Sequence, residues 1–151
     1  MNIHEDFEEF LRLLVEQQVE FVIVGGYAVA FHGYVRATQD IDLFFRDTED
    51  NVYRILPALQ DFGLAVDESA LQDFRDPGSI IRMGVPPVKI EMINTISGIS
   101  FEEVWKGRVP GRYGGVEVDY ISLPDLLTNK SASARPKDLA DVDELGGNRG
   151  I

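Results

Sequence analysis

Apolar residues recur along the chain with two spacings, and the change from one to the other marks its elements. Phe7, Phe10, Leu11, Leu14 and Val15 follow helical spacing, and Glu5, Asp6, Glu8 and Glu9 supply an acidic first turn. Residues 5–18 are therefore expected to form an amphipathic helix. Residues 21–24, FVIV, are an unbroken apolar run and read as a buried strand. Gly25-Gly26 then lets the chain turn sharply and bring bare backbone amides to a ligand. A short helix follows over about residues 27–31, with Gly33 as its C cap, and residues 34–39 connect it to the next strand. In Asp40-Ile41-Asp42-Leu43 the spacing changes to two, which sends both carboxylates to one face and both aliphatic side chains to the other.

The same reading carries on downstream. Thr48 or Asp47 can cap a helix that runs to about Phe62, where Gly63 stops it, and Pro57 within it is expected to kink or divide it. Residues 67–76 are acidic and form a short surface helix that ends at Pro77-Gly78. Residues 79–84 and 88–93 read as two strands joined by a Val85-Pro86-Pro87 turn. In the second, VKIEMI, alternation puts Lys89, Glu91 and Ile93 on one face and Val88, Ile90 and Met92 on the other. Ser100 caps a short helix at residues 101–106. Gly114-Gly115 joins residues 108–113 and 116–121 in a hairpin. Ser122, Pro124 and Asp125 start a helix that carries Leu126, Leu127 and Lys130, and residues 136–145 form the last helix.

Composition narrows the class without naming it. A chain of 151 residues with 44% hydrophobic and 26% charged positions is one folded domain's worth of sequence. The formal net charge of −12 argues against broad, non-specific attraction to DNA or to anionic membranes. It does not exclude a local basic pocket: nine of the 14 basic residues fall between Arg75 and Lys137, so positive charge is concentrated in the second half. Cysteine is absent, which removes disulfides and thiolate metal sites. No run nears the roughly 18 apolar residues of a spanning helix, and the acidic start does not read as a signal peptide, so a cytoplasmic location is expected.

Three acids carry the chemistry together: Asp40, Asp42 and Glu91 each sit in an otherwise apolar strand. Burying a carboxylate there is costly unless it is compensated. Two divalent ions, Mg2+ or Mn2+, shared by three hard oxygen donors would compensate it and could orient a triphosphate. Taken singly, a Gly-Gly pair is usually a turn and an alternating aspartate pair usually a solvated face. Arg36 could contact a phosphate or be ion-paired. His32 reads as helix-end packing, and Trp105 with Phe101 as core aromatics that could also stack on a base.

Val24-Gly25-Gly26, Asp40-Ile41-Asp42-Leu43 and Ile90-Glu91-Met92 together resemble the minimal nucleotidyltransferases of the DNA polymerase beta superfamily. The wording GGYAVAFHGYVRATQDIDLFF, with Lys130, Arg135, Lys137, Asp138 and Asp141 in NKSASARPKDLADVDEL, is most similar to bacterial nucleotidyltransferase-like proteins that include the abortive-infection AbiEii-type group. The resemblance covers about residues 5–145. It implies a single-domain α+β fold, a nucleotidyltransferase-like mixed sheet covered by helices over residues 1–145; the glycine-rich residues 146–151 read as a flexible tail. It further implies transfer of a nucleoside monophosphate from an NTP to a hydroxyl on an RNA such as tRNA or on a protein. Carried over, Asp40 and Asp42 would bind both metals and Glu91 the one that activates the acceptor. Gly25 and Gly26 would admit the triphosphate, Lys130 and Arg135 would neutralise it, and Asp138 would orient one of them or touch the nucleotide. The same fold without the chemistry, a nucleotide-binding regulator such as an antitoxin-like partner, is the alternative. A metal-binding structural domain is a third.

Overall fold

In the computed structural model, which describes residues 3–38, 40–84 and 89–146, the strands β1 (Phe21–Val24) and β2 (Asp40–Phe45) lie antiparallel at the middle of a mixed sheet. The other strands are β3 (Ile80–Met83), β4 (Lys89–Ile93), β5 (Val109–Tyr113) and β6 (Val116–Tyr120). Among the described residues they form one six-stranded sheet in the order β3-β4-β2-β1-β6-β5. β2 pairs with β4, and β1 with β6, in parallel; the β3–β4 and β5–β6 pairs are antiparallel. This is an α+β domain of the kind the sequence implied, and its centre is the acidic strand.

Burial explains the central placement. β1 is buried along its whole length, and Ile41, Leu43, Phe44 and Phe45 of β2 are buried while Asp40 and Asp42 keep partial access. The helices are α1 (Glu5–Glu16), α2 (Gly25–Phe31), α3 (Glu49–Asp61), α4 (Leu71–Arg75), α5 (Phe101–Gly107), α6 (Leu123–Ser133) and α7 (Pro136–Glu144). Phe45 meets Phe74 of α4 on one face of the sheet. Phe44, on the carboxylate face, meets Phe101 of α5, so helical cover continues round to that side.

α1 buries Phe7, Phe10, Leu11 and Leu14. Val15 is exposed, and the helix stops two residues short of the expected end because Gln18 turns into the left-handed region at φ 59°. α2 begins at Gly25, so the glycine pair opens the helix instead of preceding it. α3 remains a single helix through Pro57, against the expected division; Val52, Ile55, Leu56, Ala58 and Leu59 bury on both sides of the proline and hold it in register. The acidic segment after it is a 3-10 turn at Glu68–Ala70 followed by α4. Ser100 caps α5 in a full capping box with Glu103, and Gly114 turns the β5–β6 hairpin at φ 58°. Asn51, wholly buried, accepts the Glu20 amide and donates to the Glu20 and Arg46 carbonyls, tying the start of β1 to the end of β2. The expected Val85-Pro86-Pro87 turn and most of the glycine-rich tail lie outside the described residues.

Candidate active site

The sheet register assembles the three acids. In the parallel pairing of β2 with β4, Asp42 stands opposite Glu91, and Asp40, two residues back along β2, shares their face. Val24 is opposite Asp42 on the other side, which starts the glycine turn beside that carboxylate. Gly25 adopts φ 68°, and a Cβ added there would be driven into Asp42 Oδ2. A Cβ on Gly26 would come within 2.6 Å of Thr38 Oγ1, which itself donates to the Asp40 carbonyl at 3.3 Å. Both glycines are therefore required by what lies against them.

The carboxylates strain against one another. Burial, a hydrogen bond shared with Glu91, and the charges of Glu91 and Asp40 push the Asp42 carboxyl up from 3.8 to about 7, while Lys130 opposes the rise. Asp40 Oδ1 is buried and, among the described residues, has no partner. Glu91 Oε1 accepts from Arg82 Nε at 3.0 Å, across the β3–β4 pair.

A second charged cluster closes the cleft from the C-terminal helices. Lys130, on α6 and 7% exposed, reaches Asp138 Oδ1 at 2.9 Å and Asp141 Oδ2 at 3.2 Å. Asp138 also accepts from Ser133 Oγ and, at 2.7 Å, from Arg135 Nε. Burial works against ionising Asp138, yet the bonds from Ser133, Arg135 and Lys130 outweigh it and hold the carboxyl down at about 2. Asp141 grips Arg36 with both oxygens, at 2.8 and 2.9 Å, and is likewise held below its ordinary range: burial raises it, but Arg36 and Lys130 prevail. Arg36 is thus the ion-paired side chain of the two alternatives.

All nine side chains or backbone positions singled out from sequence, Gly25, Gly26, Arg36, Asp40, Asp42, Glu91, Lys130, Arg135 and Asp138, line one cleft of about 860 Å³. Lys137 lines it too. Arg82 was missing from the sequence reading, and Asp141, named there beside Asp138, was not expected to clamp Arg36. Arg82 needed the hairpin register. Tyr27 points away from the cleft into a cluster with Phe7 and Tyr113. His32 Nε2 bonds the Ile121 carbonyl at 2.7 Å, as a helix-end packing residue would. Trp105 and Phe101 stack 5.6 Å apart, partly buried, with the Arg108 guanidinium 3.7 Å over the indole. They do not line the cleft.

Hard oxygen donors, one of them a buried and unpartnered Asp40 oxygen, suit a divalent cation. Among the described residues no three His, Cys, Asp or Glu side chains stand in a closed metal-binding group.

A helix opened by glycines beside a strand with two alternating aspartates, the third acid on the parallel neighbour, is the layout of a nucleotidyltransferase fold. The lincosamide antibiotic adenylyltransferase LnuA, solved with lincomycin bound, superposes with a TM-score of 0.62 at 17% identity, over 96% of this chain and 98% of that one. TM1012 of Thermotoga maritima, a protein assigned to the nucleotidyltransferases, gives a TM-score of 0.56 at 16% identity, over 98% of this chain and 93% of that one. No curated protein matches the sequence. The chain belongs to the family described as "Nucleotidyltransferase of unknown function (DUF6036)", whose model matches residues 1–146. Among the described residues no helix is long and apolar enough to cross a membrane.

Proposed function

We propose that this nucleotidyltransferase moves a nucleoside monophosphate from an NTP to a hydroxyl of an RNA or a protein, using two Mg2+ or Mn2+ ions. The observation that carries the reading is the cleft in which Asp40, Asp42 and Glu91 face Gly25-Gly26 on one side and Arg135 and Lys137 on another. Asp40 and Asp42 would hold both ions and Glu91 the one nearer the acceptor. Divalent ions bound there supply charge neutralisation at the attacking and leaving oxygens. Gly25 and Gly26, which have no room for a Cβ, let the triphosphate approach the backbone. Arg135, bound to Asp138 through Nε alone and largely exposed, keeps the rest of its guanidinium for phosphate. Lys130 contributes its charge from behind, fixed between Asp138 and Asp141. Glu91, opposite Asp42 in the β2–β4 pairing, would help take the acceptor's proton.

Kinship with the AbiEii-type group rests on the local wording of residues 25–45 and 130–141, and with it the idea of a role in a toxin–antitoxin pair. Work in the cytoplasm fits the absence of cysteine.

The test incubates the protein with Mg2+ or Mn2+ and each labelled NTP, alone, with tRNA, with candidate partner proteins, and with lincomycin as a small-molecule arm. An Asp40→Ala/Asp42→Ala protein runs beside it. Transfer to RNA or protein that vanishes in the double variant supports the reading. Transfer that survives there refutes the assigned acids. Metal-dependent NTP binding with no transfer to any acceptor would make the protein a nucleotide-binding regulator.

A further inference from the structure

The cations of this cleft are not shared out as the acids would require. Lys130 is engaged by Asp138 and Asp141, Arg36 by Asp141, and Arg135 by Asp138. Among the described residues, the salt bridge that reaches the Asp40–Asp42–Glu91 face comes from Arg82 alone, Nε to Glu91 Oε1 at 3.0 Å. Arg82 sits on β3, the outermost strand of the sheet, directly opposite Glu91 in the register. Its side chain is 67% exposed, whereas that of Glu91 is 21% exposed. A flexible, well-solvated cation is thus held against the less accessible acid.

A divalent ion that uses Glu91 Oε1 meets this guanidinium at that oxygen, and the guanidinium's charge opposes an incoming cation at either carboxylate oxygen. Because Arg82 is solvated and belongs to an edge strand, it can leave without disturbing the core, and its departure costs little. Glu91, by contrast, is fixed on a strand paired on both sides. Resting on the functional reading above, we infer that Arg82 is a displaceable counter-ion of Glu91: it positions the third acid when no metal is bound and competes with the incoming divalent cation. Cation affinity is then set by a residue that is itself no metal ligand.

The measurement is a calorimetric Mn2+ titration of the full chain as wild type, Arg82→Gln, Arg82→Lys, Glu91→Gln and the Arg82→Gln/Glu91→Gln double variant. Thermal melts in chelator check that each is folded. Removing a partly exposed pair should tighten Mn2+ binding by about two- to five-fold in Arg82→Gln. Arg82→Lys, which keeps the charge, should stay near wild type, and the gain should vanish when Glu91 is already Gln. Binding in Arg82→Gln that is unchanged or weaker than wild type overturns the inference and leaves the metal site standing. So does a gain that persists without Glu91. A wild-type protein that takes up no Mn2+ removes the metal-dependent function and this inference together.

Discussion

Substituting Asp42 by Asn separates the cost of its charge from everything else in the cleft, because Asn keeps the shape and loses the proton. In the folded, metal-free protein the Asp42 carboxyl titrates at about 7 instead of 3.8, chiefly through burial and then through Glu91. The native state therefore binds this proton more tightly than the unfolded chain, and stability is lost as pH rises from about 4 to about 7. Three pKa units at about 1.4 kcal/mol each bring the full loss to about 4 kcal/mol. About 3 kcal/mol of it falls between pH 5 and pH 8. Asp138 and Asp141 have lowered values and act with the opposite sign, but below about pH 4, outside this window. The assay is urea unfolding in chelator at pH 5, 6, 7 and 8. Wild type should lose stability across the series relative to Asp42→Asn, so that the variant becomes the more stable protein at pH 8. Parallel pH profiles for the two proteins would refute the strained-carboxylate account of this face.

Four further outcomes follow from other parts of the structure. Lys130→Met leaves Asp138 and Asp141 buried with one cation fewer, and should cost about 3–5 kcal/mol in urea denaturation; a loss under 1 kcal/mol would mean Arg36 and Arg135 suffice. Gly25→Ala forces an L side chain to φ 68° and into Asp42, so a loss of about 1–2 kcal/mol from the backbone alone should accompany weakened Mn2+ binding in calorimetry. Ala134, the α6 C cap, lies at φ 56°, and Ala134→Gly should raise stability by up to about 1 kcal/mol once the relieved strain is set against greater unfolded-state freedom. Mn2+ should raise the Tm of wild type and leave Asp40→Ala unmoved, and an equal rise in both would remove Asp40 from the ion's donors.

Local chemistry made much of this legible. β1 ends where the sequence says because an apolar run meets glycine, and α5 starts directly after Ser100 because that hydroxyl and Glu103 satisfy each other. The Asp40–Asp42 alternation needs only a period of two. What the sequence could not yield was set by distant partners. Pro57 stays helical because residues on both sides of it have a core to bury in. Arg82 faces Glu91 through a register that no residue composition specifies. Lys130 looked like an open phosphate ligand, whereas Asp138 and Asp141 draw it inward once α7 docks on α6.

The Arg36–Asp141 clamp joins residues 105 apart. On the ribosome the residues of β1, α2 and β2 are synthesised well before those of α7. Until that last helix arrives, Arg36 and Lys130 have no Asp141, and the loop carrying Thr38 lacks its anchor to the C-terminal end. The cleft is thus unfinished until α7 docks: a segment ending before Asp141 carries the aspartates and the glycines but not the finished site.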